Sequence, residues 1–137
     1  MPSSVELVCL MSAADKASVW PHVAPLLQRA IERAGLSAFR DVELDILQGD
    51  ALIWIAWSGR IEAAASTSLQ TSDAGLVCLI TACGGADRRR WLPLLAEIED
   101  YAKAEGCKSV RIIGRRGWQR ALNGYAVKAI LLDKELN

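Results

Sequence analysis

The sequence predicts one mixed α/β (α+β) domain, a mixed sheet carrying helices on both faces. Three observations carry that prediction. Residues 51–69 hold an apolar run, ALIWIAW, then Ser58-Gly59, then a returning run, the pattern of a β-hairpin. Residues 76–82, LVCLITA, are continuously apolar, as in a central strand covered on both faces. A glycine turn, a helix-periodic stretch and another short apolar run follow, which is a strand–helix–strand crossover.

Taken in order, residues 5–10 form a short first strand. Residues 18–34 form a helix, because Trp20, Val23, Leu27, Ala30, Ile31 and Ala34 recur at three- and four-residue steps on one face. Gly35 ends it. Pro21 suits a first turn and Pro25 does not suit an interior, so a late start or a kink near Pro25 is expected. Residues 39–48 form a second, short helix on Phe39, Val42 and Ile46, and Gly49-Asp50 closes it. In the hairpin's second strand Ile61, Ala63, Ala65, Thr67 and Leu69 share a face, and their small size implies a close neighbour. Trp54 and Trp57 are an odd number of residues apart, so they cannot both lie inside a one-sided hairpin face; one of the five tryptophans is expected to be exposed unless helices on both faces bury them all.

The central strand ends at Cys83-Gly84-Gly85-Ala86-Asp87. The next helix runs from Arg89 or Arg90, which puts Pro93 in its first turn, to Glu105. Its apolar stripe is Trp91, Leu94, Leu95, Ile98, Tyr101 and Ala102. Residues 109–114 are a strand and 118–122 a short helix. Residues 126–136 are a last strand, with Val127, Ala129 and Leu131 alternating with Lys128, Ile130 and Leu132. The predicted order is β-α-α-β-β-β-α-β-α-β within a single domain, 1–137.

Composition narrows the function classes. The chain has 137 residues, 52% of them hydrophobic, enough to form a core without metal or disulfide. Lys+Arg and Asp+Glu are 16 each, so no bulk attraction to nucleic acid is encoded, and neither nucleic acid nor membrane is expected as a partner. The longest uncharged stretch, residues 74–86, falls short of the ~20 residues a bilayer span needs. No basic segment leads into a long apolar one near the start, so a cytoplasmic location is expected. Cys9, Cys78, Cys83 and Cys107 fit no zinc spacing, and a lone histidine, His22, cannot build a metal site, so none is expected. Cys83, opening the glycine turn, is a candidate nucleophile without a nearby histidine to activate it.

This order resembles the GCN5-related N-acetyltransferase (GNAT) fold over nearly the whole chain. The local match lies in residues 76–136, where the strand, glycine turn, helix ending in Ala104-Glu105-Gly106-Cys107, strand, short helix, Gly124-Tyr125 and closing Leu-Asp-Lys-Glu-Leu fall in family order. Trp91-Leu92-Pro93-Leu94 and Gly117-Trp118 look most like the small GNAT-like proteins of phages and prophages. The resemblance implies acetyl-CoA as cofactor, its diphosphate held by the turn after the central strand. Here the corresponding residues are Cys83, Gly84, Gly85, Ala86, Arg88 and Arg89. The turn lacks the family's leading Gln or Arg and carries Asp87 where diphosphate would sit. The family's usual tyrosine acid, about four residues before the Gly-aromatic pair, is replaced by Arg120. Glu62 is a candidate base, and no residue is assigned as catalytic.

Two readings follow from the resemblance. The first is a phage- or prophage-type GNAT-like domain, catalytically degenerate, serving as a binding or virion-assembly module. It implies a protein partner or self-association through surface Trp and Arg. The alternative is an acetyl-CoA-dependent N-acetyltransferase working by direct attack of an amine. Arg88, Arg89 and Arg90 with Arg111, Arg115, Arg116 and Arg120 form an expected basic rim, read as an interface before a phosphate site.

Overall fold

Consecutive strands pair with one another to give a single sheet of order β1-β2-β3-β4-β5. This is a computed structural model, and it describes residues 4–35, 37–114 and 117–137. The strands are β1 (Glu6–Leu10), β2 (Leu52–Trp57), β3 (Ile61–Ser72), β4 (Gly75–Gly85) and β5 (Ser109–Ile112). β1 to β4 are antiparallel, and β5 joins β4 in parallel after a helical crossover. The helices are α1 (Ala13–Ala34), α2 (Phe39–Gln48), α3 (Arg88–Trp91), α4 (Leu95–Ala104) and α5 (Gly117–Ala121), with a 3₁₀ turn (Leu92–Leu94) between α3 and α4.

Two apolar layers sandwich the sheet. On one side Val23, Leu27 and Ile31 of α1 and Val42 and Ile46 of α2 cover Ile53, Ile55, Ala64 and Ala82. On the other, Trp91, Leu95, Ile98 and Ala102 cover Trp54, Ala56, Ala63, Ala65, Cys78 and Ile80. Strands buried on both faces need apolar residues at every position, hence the unbroken runs in β2 and β4. Trp54 is 7% exposed, and Trp57, at the end of β2 where the register shifts, is 43% exposed. Within the core Trp54 Nε1 donates to Thr67 Oγ1 at 2.9 Å, and the Trp54 ring meets Tyr101 edge-on. The alanines of β3 leave room for these large rings.

Three expectations are corrected. α1 begins at Ala13 rather than near Ser18, because Ser12 caps it by accepting a hydrogen bond from the Asp15 amide at 3.0 Å. Both Pro21 and Pro25 then lie inside the helix. An interior proline costs ~3 kcal/mol. Burying Val23, Leu27 and Ile31 returns ~1.5–3 kcal/mol each, which offsets that cost. The Ala34 side chain, placed on the same face by the sequence, lies outside the described residues. Helical structure after β4 begins at Arg88, and Pro93 is taken up by the 3₁₀ turn rather than by a first α-turn. The predicted last strand, 126–136, does not form. Val127, Ile130, Leu131, Leu132 and Leu136 are all exposed, Leu132 at 91%. Alternation specifies which side chains share a face; it does not supply an edge to pair with, and β5 offers only four residues.

Candidate functional site

β4 is zipped to β3 along its whole length, from Ser72↔Gly75 to Ala63↔Gly85. The register slips once: Ser66 faces Ala82 while Thr67 faces Ile80, so Thr81 is an extra residue on β4. The Thr81 hydroxyl donates to the Ser66 carbonyl at 3.1 Å and fixes the bulge. A bulge bends its strand. Pairing of β4 with β5 ends at Ile80↔Ile112, immediately before it. β5 itself ends there, and residues 113–114 leave β4 without pairing to it. A cavity of about 760 Å³ opens there, walled by residues 79–85 of β4, by 112–114, by Trp91 and Trp118, and by one stripe each of α1 and α2.

The double glycine sits where β4 is squeezed between two neighbours. A Cβ on Gly84 would lie 2.8 Å from the Leu26 carbonyl oxygen of α1. A Cβ on Gly85 would lie 2.6 Å from that of Ala63 on β3. Close backbone approach therefore accounts for both glycines. Asp87 follows with φ of 47°, in the left-handed region, and turns the chain into α3. Trp91 Nε1 donates to the Ala86 carbonyl at 2.8 Å, which ties that turn to the core. Arg88 lies 5.9 Å over the Trp118 ring, and Trp118 leans on Trp91. Trp118 in turn requires Gly114, where a Cβ would come within 2.7 Å of the indole.

Glu62, Cys83 and Tyr125 are each paired or buried. Glu62 on β3 is gripped by Arg90 through two hydrogen bonds, of 2.5 and 2.9 Å, with the carboxylate side chain only 4% exposed. These bonds foremost, then one from Ser58, hold its carboxyl down at about 2. A carboxylate that acidic is a poor proton acceptor near neutral pH, so the sequence's candidate base is corrected to half of an ion pair. Burial pushes the Cys83 thiol up to about 12. That favours the protonated thiol, a poor nucleophile. The Tyr125 hydroxyl donates to Glu99 Oε2 at 2.7 Å; burial foremost, then that bond, raises its phenol.

Of the residues the sequence assigned to cofactor binding, Cys83, Gly84, Gly85, Ala86 and Arg88 line the cavity, and Arg89 does not. Arg90 turns away toward β3. Arg111 and Arg120 are exposed, and Arg115 and Arg116 lie outside the described residues. Sequence reasoning missed Arg29 and Arg33 of α1 and Asp41 and Asp45 of α2, which line the same cavity. Each pair is one helical turn apart, but Arg29 lies nearly opposite the apolar stripe of α1, so periodicity gave no signal that it lines a cavity. No group of three or more metal-ligating side chains occurs among the described residues. Among them, too, no helix is long and apolar enough to cross a membrane.

No family model matches the chain, and no curated protein matches it in sequence. Solved structures do match in shape. An aminoglycoside acetyltransferase from an uncultured soil metagenomic sample, in complex with sisomicin, superposes with a TM-score of 0.71 at 9% identity, over 97% of this chain and 96% of that one. Glucosamine-6-phosphate N-acetyltransferase from Arabidopsis thaliana gives 0.63 at 18% identity, over 98% and 99%. A predicted acetyltransferase with acetyl-CoA from Clostridium acetobutylicum gives 0.64 at 14% identity, over 97% and 96%. The mixed five-stranded sheet with its flanking helices thus has the GNAT-like fold.

Proposed function

We propose that this chain binds acetyl-CoA in the split between β4 and β5 and passes the acetyl group to an amine. The observation that carries this reading is the open split itself. Past Ile80↔Ile112 the β5-facing edge of β4 has no ladder partner among the described residues, so its backbone groups can pair with the amides of an extended pantetheine arm. The cavity is roomy enough for such an arm, and Arg88 and Trp118 at its wall offer a cation and an aromatic face. A neighbour of the same fold carries acetyl-CoA.

Bound acetyl-CoA supplies an activated thioester: transfer forms one C–N bond, breaks the C–S bond and moves one proton from nitrogen to sulfur. The chain's part is binding, alignment and exclusion of bulk water. Glu62 and Tyr125 do not line the cavity, and burial keeps the Cys83 thiol protonated, so none of the three is assigned as the base that takes that proton. Calorimetric titration with acetyl-CoA tests the reading. Saturable binding, with thiol release when an amine is added, is expected; no heat at millimolar acetyl-CoA overturns it.

A second reading is favoured by specific observations: the locked Glu62, Arg120 in place of a tyrosine, exposed Trp57 and the exposed apolar tail. In it the domain is a phage- or prophage-type binding or virion-assembly module of the host cytoplasm or the particle, with a protein partner or a second copy. Acetyl-CoA binding without any turnover, together with co-migration in a stable assembly, would select it.

A further inference from the structure

The cavity wall is divided by charge. Leu26, Arg29, Ala30 and Arg33 form one stripe of α1 along the cavity, and Ala38, Asp41, Val42 and Asp45 form one stripe of α2. Two arginines thus stand on one helix and two aspartates on the other, all four exposed, around the same opening. None of the four makes an ion pair or a side-chain hydrogen bond among the described residues.

Interactions within each helix account for only part of this arrangement. Like charges one turn apart on a helix weaken it, and both helices carry such a pair. The helix dipole favours Arg33 in the last turn of α1 and Asp41 in the first turn of α2. It does nothing for Arg29, which lies more than a turn from the end of α1. It opposes Asp45, which stands in the last turn of α2, where a cation would be favoured. Opposite charges that face one cavity yet stay unpaired keep their hydration until a ligand brings matching groups. Charge-assisted hydrogen bonds to such groups are among the stronger polar contacts available.

We infer that the acceptor is bipolar, carrying an ammonium held by Asp41 and Asp45 and a carboxylate or phosphate held by Arg29 and Arg33. This rests on the acyl-transfer reading for the word acceptor, but not for the binding itself. A simple monoamine leaves both guanidinium groups unsatisfied, and a purely anionic molecule leaves both carboxylates so.

Three probes of equal carbon number isolate the claim: 6-aminohexanoate, hexylamine and hexanoate, titrated calorimetrically into the full chain without acetyl-CoA. The bipolar probe is expected to bind about tenfold or more tighter than either other, the size of one charge-assisted hydrogen bond. Asp41→Asn/Asp45→Asn should bring it down to the level of hexanoate, and Arg29→Gln/Arg33→Gln to that of hexylamine. The charge-exchanged chain, Arg29→Asp/Arg33→Asp/Asp41→Arg/Asp45→Arg, should regain the preference, which a merely structural role would not produce. Repeating the titration with O-phosphoethanolamine against ethanolamine asks whether phosphate serves as well as carboxylate. Equal affinities for the three carbon-chain probes, no binding of any of them, or a preference that survives either double variant overturns the inference. Acetyl-CoA titrated separately keeps the two readings apart: its failure to bind sinks acyl transfer and leaves this result standing, and the converse holds as well.

Discussion

The two edges of β4 behave differently. Toward β3 the ladder is unbroken from one end of the strand to the other, with the single extra residue absorbed at Thr81. Toward β5 the ladder stops at Ile80. One bulge lies beside both edges: on the antiparallel side the Thr81 hydroxyl restores a bond to Ser66, and on the parallel side it coincides with the end of β5. A fold can therefore open a cleft in the middle of a sheet without loosening the sheet that carries it.

Substitutions at the closed edge should cost stability. The largest effect is expected under α1, where Leu27 is fully buried beside β2 and β3. Leu27→Ala should lower unfolding stability by ~2–5 kcal/mol in a denaturant titration. Gly85→Ala comes next, because the new methyl meets the Ala63 side chain and the Glu62 backbone. A loss of ~1–3 kcal/mol is expected, as for other overpacked sites. Trp54→Phe keeps the ring and removes the donor to Thr67, leaving a buried hydroxyl short of a partner. It should cost about 1–2 kcal/mol, and Trp54→Phe/Thr67→Val less than the sum of the two single changes.

The Glu62–Arg90 pair sharpens the comparison through pH. Glu62 titrates near 2 in the folded chain, below its usual 4.5, so its contribution is complete above the usual value and fades as pH falls toward 2. Thermal melts of the parent chain should therefore fall across that window more steeply than those of Glu62→Gln. The open edge should show the reverse pattern. Ile113 lines the cavity and is exposed. Ile113→Trp should leave stability within ~0.5 kcal/mol while weakening acetyl-CoA binding.

Periodicity was enough to place α2, the hairpin, β4 and β5, because each buries a regular set of side chains. It misplaced the start of α1, where a single serine cap outweighed two prolines. The bulge was invisible, since LVCLITA reads the same whether or not Thr81 is paired out of step. Nor could spacing show that Glu62 and Arg90, far apart in the chain, would neutralise each other, which removed a candidate base. The glycine turn was singled out for cofactor binding; the structure gives its glycines a packing reason, since Gly84 and Gly85 are demanded by α1 and β3. The charged stripes of α1 and α2 became meaningful only once both helices were seen at one cavity.

Amide hydrogen exchange along β4, with and without acetyl-CoA, is the most direct trial of the released edge. The account predicts that amides between Thr81 and Gly85 that point toward β5 exchange quickly in the free chain, unlike those from Val77 to Ile80, and become protected when acetyl-CoA is added. Uniform slow exchange along the whole strand, unchanged by acetyl-CoA, would contradict it.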